Sequence, residues 1–105
     1  MSELKTYQKR VFENKCKKGF NTTNVESEFL LLYSEIAEAF EAYKDNNKEH
    51  LGEELADIAI YLLGLSEILD IDLNKEIRQK MEINEKRSYH KNEHGYAKKD
   101  ETPFK

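Results

Sequence analysis

The sequence has 105 residues, 36% of them charged, with 17 Lys and Arg against 21 Asp and Glu and a formal net charge of −4. A chain of this length suits one domain and buries only about 60 to 70% of its unfolded surface, so self-association would add useful core. The acidic balance argues against a general nucleic-acid binder, which carries a basic face, and one Pro with four Gly favours long helices over sheets.

A single cysteine, Cys16, forbids an internal disulfide and fits a reducing cytoplasm. Lysines flank it, but no His stands near it in sequence to make a paired nucleophile, so it reads as a semi-buried small hydrophobe. Residues 1–10 contain no apolar core of a signal peptide, and no apolar run approaches the roughly 20 residues that cross a bilayer. The expectation is a cytoplasmic protein with neither a membrane nor a nucleic-acid partner.

Four helices follow in chain order. The first spans about 3–18, with Leu4, Tyr7, Val11 and Phe12 as a modest apolar stripe in which Lys15 also falls, and Gly19 ends it. Thr23 with Glu26 reads as a capping box for the second helix, which runs to about residue 44. After the turn Asp45-Asn46-Asn47, Asn46 with Glu49 reads as a second capping box, and the third helix runs to about 69. Asp72 is placed to cap the fourth, which runs to about 89. Residues 91–105 are polar, contain Gly95 and Pro103 and show no apolar period, so they read as an extended or mobile tail. Short connections between long helices predict an all-α, four-helix antiparallel bundle over residues 1–90.

The informative residues are Glu35, Glu38, Glu54 and Asp57. Each pair is spaced i, i+3 and shares a helix face. The third helix is apolar almost all round from 55 to 69, so Glu54 and Asp57 are expected to point into apolar surroundings. The second helix carries its main apolar stripe on Phe29, Tyr33, Ile36 and Phe40, with Leu31, Ala39 and Ala42 around the acids, and is likewise expected to be buried. Either pair alone is an ordinary surface pattern. Two pairs on adjacent antiparallel apolar helices are not, because buried carboxylates repel one another and need a partner. No Lys or Arg of these two helices lies on the acidic faces, and an all-oxygen set suits a hard cation, Mg²⁺ or Mn²⁺. Zinc and di-iron chemistry would require His or Cys beside the acids. Glu28 and Glu53 are possible helpers of the site.

On the fourth helix Lys80, Asn84 and Arg87 form one stripe at i, i+4, i+7. Two cations and an amide suit a polyphosphate, though the same stripe also fits a solvated face; Ile77, Met81 and Ile83 would form the packing side.

The run Glu35-Ile-Ala-Glu38 followed by Glu54-Leu-Ala-Asp57 resembles the E-x-x-E … E-x-x-D signature of the all-α nucleotide pyrophosphohydrolases of the MazG-like superfamily, and Lys80 to Arg87 resembles that superfamily's K-x-x-x-N element. The resemblance covers roughly residues 7–94. It implies that the four acids bind Mg²⁺, that Lys80 and Asn84 contact substrate with help from Arg87, and that a nucleoside triphosphate is cleaved to monophosphate and pyrophosphate to remove non-standard or excess nucleotides. It further implies a homodimer or homotetramer with sites near subunit interfaces. Phe20, His50 and Tyr61 are the candidates for stacking on a base. A phosphoribosyl-ATP pyrophosphohydrolase and a non-enzymatic helical dimerisation or regulatory module remain the competing readings. The pair His90 and His94 lies in a polar stretch with no further zinc ligand.

Overall fold

The computed structural model describes residues 2–91 and 97–99. Its elements are α1 (Glu3–Lys18), α2 (Val25–Lys44), α3 (Lys48–Ile68), α4 (Leu73–Lys86) and two short strands, β1 (Tyr89–Lys91) and β2 (Ala97–Lys99). Among the described residues the protein is all-helical apart from this antiparallel strand pair. Two compact units divide it, one reaching Leu73 and one starting at Asn74.

In the first unit α1 and α2 each pack on α3. The turn between α2 and α3 is only three residues long, which makes those two helices antiparallel neighbours. Local chemistry sets the starts of α1, α2 and α3. Ser2 accepts from the Lys5 N–H at 3.1 Å, and Gly19 closes α1 in the left-handed region at φ 69°, the C-terminal role expected of it.

The N-caps of α2 and α3 each fall one residue later than expected. Asn24, not Thr23, caps α2, accepting from the Ser27 N–H at 3.0 Å. Asn21 Oδ1 takes the backbone N–H of both Thr23 and Asn24, so Thr23 belongs to the preceding turn. Asn47, not Asn46, caps α3 by accepting from the His50 N–H at 3.1 Å. Asn46 instead takes a positive φ of 55°, which asparagine tolerates better than most side chains.

A buried glutamine fixes the turn after α3. Gln8 of α1 donates to Glu67 Oε1 (3.0 Å) and to the Ile71 carbonyl (2.8 Å), and its own carbonyl accepts the Leu73 N–H (3.3 Å). Lys5 adds an exposed ion pair to Asp72 at 3.4 Å.

The buried apolar side chains of this unit include Leu32, Ala39, Ala42, Leu63 and Leu65. The expected stripe on α2 is on the wrong side. Phe29, Tyr33, Ile36 and Phe40 are all exposed, Tyr33 by 68% and Phe40 by 58%, while Glu28, Leu32, Ala39 and Ala42 are the residues α2 buries. Both faces of α2 are apolar, and α3 covers the one with the smaller side chains, where helix backbones approach closely. Leu55, Ile60 and Leu62 of α3 are exposed as well. Cys16 is exposed rather than semi-buried.

In the second unit α4 stops at Lys86, short of the expected residue 89. Tyr89 leaves the helix to pair with Lys99 in an antiparallel ladder that continues through His90 with Lys98 and Lys91 with Ala97. Lys91 and residues 97–99 of the ladder fall within the stretch expected to be extended or mobile. Residues 92–96, with His94 among them, and 100–105 lie outside the described residues. Ile77 and Met81 are exposed and Ile83 is half-buried. Among the described residues, no helix is long and apolar enough to cross a membrane.

Candidate metal centre

The antiparallel pairing of α2 and α3 brings Glu35 and Glu38 opposite Glu54. One carboxylate oxygen from each of the three lies within 4.8 Å of the others. Glu54 is buried, at 8% exposure, Glu35 is half-buried and Glu38 is exposed, so the cluster is open on one side. Asp57 does not join it. Its i, i+3 spacing turns it about 60° around the helix from Glu54, enough to expose it to solvent rather than to apolar surroundings. It lines a neighbouring cavity instead.

The cluster is chemically incomplete. Glu35 Oε2 and Glu54 Oε2 are buried with no hydrogen-bond partner. A buried carboxylate oxygen left unpaired is costly. Burial, and then the adjacent carboxylates of Glu54 and Glu38, push Glu35 up to about 7. Carboxylates alone, crowded and short of donors, fit a hard divalent cation. Glu35, Glu38 and Glu54 would hold it, with Asp57 as the flanking acid.

The sign of the resulting pH dependence follows from Glu35. Its folded value lies above the ordinary 4.5, so the metal-free native state keeps a proton that the unfolded chain releases. Stability in chelator should therefore fall as pH rises from about 4.5 to about 7 and level off above that. Mg²⁺ should displace the proton, making binding tighter as pH rises through the same range. Urea titrations at pH 5 to 8, with chelator and with Mg²⁺, check both trends. The Glu35→Gln variant should lose the fall, and a wild type lacking it would remove the strained carboxylate.

The helper residues separate. Glu28 is 1% exposed, accepts from Lys15 Nζ at 2.5 Å and from Asn21 Nδ2 at 3.1 Å, and is satisfied without a metal. Glu53 is at the rim, where its Oε2 stands 3.8 Å from His50 Nδ1. His50 Nε2 lies 3.4 Å from Glu54 Oε1, so this ring flanks the acids. His50, Glu38 and Glu54 share a shallow cavity of about 380 Å³ near the α2–α3 turn. The other two stacking candidates, Phe20 and Tyr61, share a different cavity of about 830 Å³ between α1 and α3. Burial, and then the charges of Glu35, Glu28, Asp57 and Glu38, raise the Tyr61 hydroxyl above its ordinary value, which ties that cavity electrostatically to the acids.

In the second unit Lys80 and Asn84 lie on α4, while Arg87 follows its last residue. The Arg87 guanidinium donates to Asn84 Oδ1 at 3.3 Å, so two members of the expected stripe are joined. Sequence reasoning missed Lys15 and Asn21 as the partners of Glu28. The signal was present for Lys15, a cation at an apolar-stripe position of α1, which is where a buried partner is to be sought.

The model of the MazG-like family matches residues 22–101, which include every carboxylate of this cluster. The chain belongs to the MazG-like family. Neither a curated protein nor a solved structure matches it. An all-helical chain is what the resemblance implied, and the MazG-like assignment points to a nucleotide pyrophosphohydrolase-like role with an acidic cluster suited to metal.

Proposed function

We propose that this MazG-like chain is a Mg²⁺-dependent nucleotide pyrophosphohydrolase. It would convert a nucleoside triphosphate and water to the monophosphate and pyrophosphate, the water oxygen bonding to the α-phosphorus as its bridge to the β-phosphate breaks. The observation that carries this reading is the trio Glu35, Glu38 and Glu54, whose two buried oxygens without a partner suit a cation. A bound divalent ion supplies charge neutralisation of the polyphosphate and a more acidic water. The chain's own acids fix where that charge sits, and Asp57 and Tyr61 border the cavity beside them. Lys80, Asn84 and Arg87 are assigned to the substrate's phosphates, where fixed cations stabilise developing charge. The role that fits is removal of non-standard or excess nucleotides. Incubating the protein with a nucleotide panel and Mg²⁺, and assaying pyrophosphate and monophosphate, tests the reading. Release of orthophosphate alone, or no product, would overturn it.

The working form is proposed to be a homodimer or homotetramer. The exposed Phe29, Tyr33, Ile36 and Phe40 follow one another at helical spacing on α2, and a bare apolar stripe of this kind marks a protein interface. Sedimentation at micromolar concentration should show a dimer or larger, and Phe40→Asp should shift it toward monomer; a wild-type monomer would refute the assembly.

A further inference from the structure

The cavity between α1 and α3 is lined in part by polar side chains that the proposed chemistry does not use. Its volume of about 830 Å³ lies within the range of small-molecule sites. Tyr7, Val11, Phe20, Ile60 and Leu63 give it apolar and aromatic walls, and Lys15 and Glu28 line it too. Asp57 and Tyr61 are among its lining residues, so it reaches an acid of α3.

We infer that this cavity takes the base of the nucleotide and that Lys15 selects bases carrying an oxo group over those carrying an amino group at the same position. The inference rests on the nucleotide reading above. Flat aromatic and aliphatic walls suit a heterocycle. The polar readout falls to Lys15 by elimination within the ion pair. Glu28 is 1% exposed and its two oxygens are taken, Oε1 by Lys15 and Oε2 by Asn21, so it has little to offer an amino group. Lys15 has three N–H groups, and Glu28 takes one of them. Lys15 lines the cavity and its side chain is 12% exposed, so the inference gives the other two to a ligand there. The nearby Glu28 carboxylate also neutralises it, so it serves better as a directional donor to a carbonyl than as a phosphate cation. A site built to donate a hydrogen bond rejects the analogue that cannot accept it.

The test compares inosine with adenosine 5′-monophosphate, and uridine with cytidine 5′-monophosphate, by NMR titration of the full chain in chelator. The oxo member of each pair should bind about tenfold more tightly or better, the effect of one hydrogen bond to a charged donor. Lys15→Met/Glu28→Leu removes both charges, leaves neither stranded, and should bring both ratios to about one. Wild-type ratios near one, no binding of any of the four, or ratios that survive the double substitution would overturn the inference. A uniform loss of affinity across all four, with ratios intact, would do the same, because it marks Lys15 as a phosphate contact. The corresponding triphosphates with Mg²⁺ keep the two readings apart: no pyrophosphate overturns the proposed function, while the binding ratios still decide the role of Lys15.

Discussion

Glu54→Gln should lower kcat/KM for nucleoside triphosphates by more than about a hundredfold, since losing even an outer-shell partner of a metal ligand costs about 10- to 100-fold. The same change should leave the metal-free protein no less stable than wild type. Glu54 is buried, one of its oxygens has no partner, and the carboxylates of Glu35 and Glu38 are beside it. Gln keeps the shape, removes one charge from a repulsive group and brings an N–H donor to a neighbourhood that holds the orphaned Glu35 Oε2. The contact to the half-exposed His50 ring, at 3.4 Å, is weak, and losing its ionic part costs little. Mg²⁺ at millimolar levels should raise the wild-type Tm by mass action and leave the variant's nearly unmoved, because the unfolded chain has no assembled site. A structural ion pair predicts the reverse: a destabilised variant and a wild type indifferent to Mg²⁺. Thermal melts of both proteins with Mg²⁺ and with chelator, alongside the pyrophosphate assay, decide between them. An active Glu54→Gln protein and an unmoved wild-type Tm would end the metal-site reading.

What was legible in the sequence was local. Helical periodicity, Gly19 and the turn at 45–47 placed all four helices, because capping and propensity act over a few residues. The two misplaced caps come from adjacent residues that can both cap, Thr23 with Asn24 and Asn46 with Asn47; the backbone of the turn chooses, and Asn46 spends its tolerance of positive φ there. The end of α4 was misread because Tyr89 and His90 join a ladder with residues eight or more positions away. Non-local choices were harder still. Periodicity showed that α2 is apolar on two sides, but not which side this chain covers. The spacing of Glu54 and Asp57 put both acids on one broad face, whereas the three-acid cluster depends on about 60° of rotation within it.

Lys15 shows most clearly how a residue read as an irregularity governs the packing. Lys15→Met alone should destabilise the fold by about 3–5 kcal/mol, the cost of removing one partner from a buried pair. The salt bridge joins α1 to α2 at 2.5 Å, and Glu28 is 1% exposed, so solvent cannot compensate the abandoned carboxylate. Asn21, donating to Glu28 Oε2 at 3.1 Å, holds the effect toward the lower end of that range. Met fills much of the Lys stem's volume, which keeps the packing against Gly64, where a Cβ would sit 3.5 Å from Lys15 Cδ, largely intact. The loss is therefore electrostatic, and it should vanish when the other charge goes too. Lys15→Met/Glu28→Leu should recover most of the stability, because replacing a buried pair with apolar side chains is often neutral or stabilising. Urea unfolding of wild type, both single variants and the double variant at one protein concentration completes the cycle. A single-variant cost below about 1 kcal/mol, the level of an exposed pair, would show that Lys15 and Glu28 are solvated. A double variant as unstable as the sum of the singles would show that the two residues act independently, and the helix junction would then need another explanation.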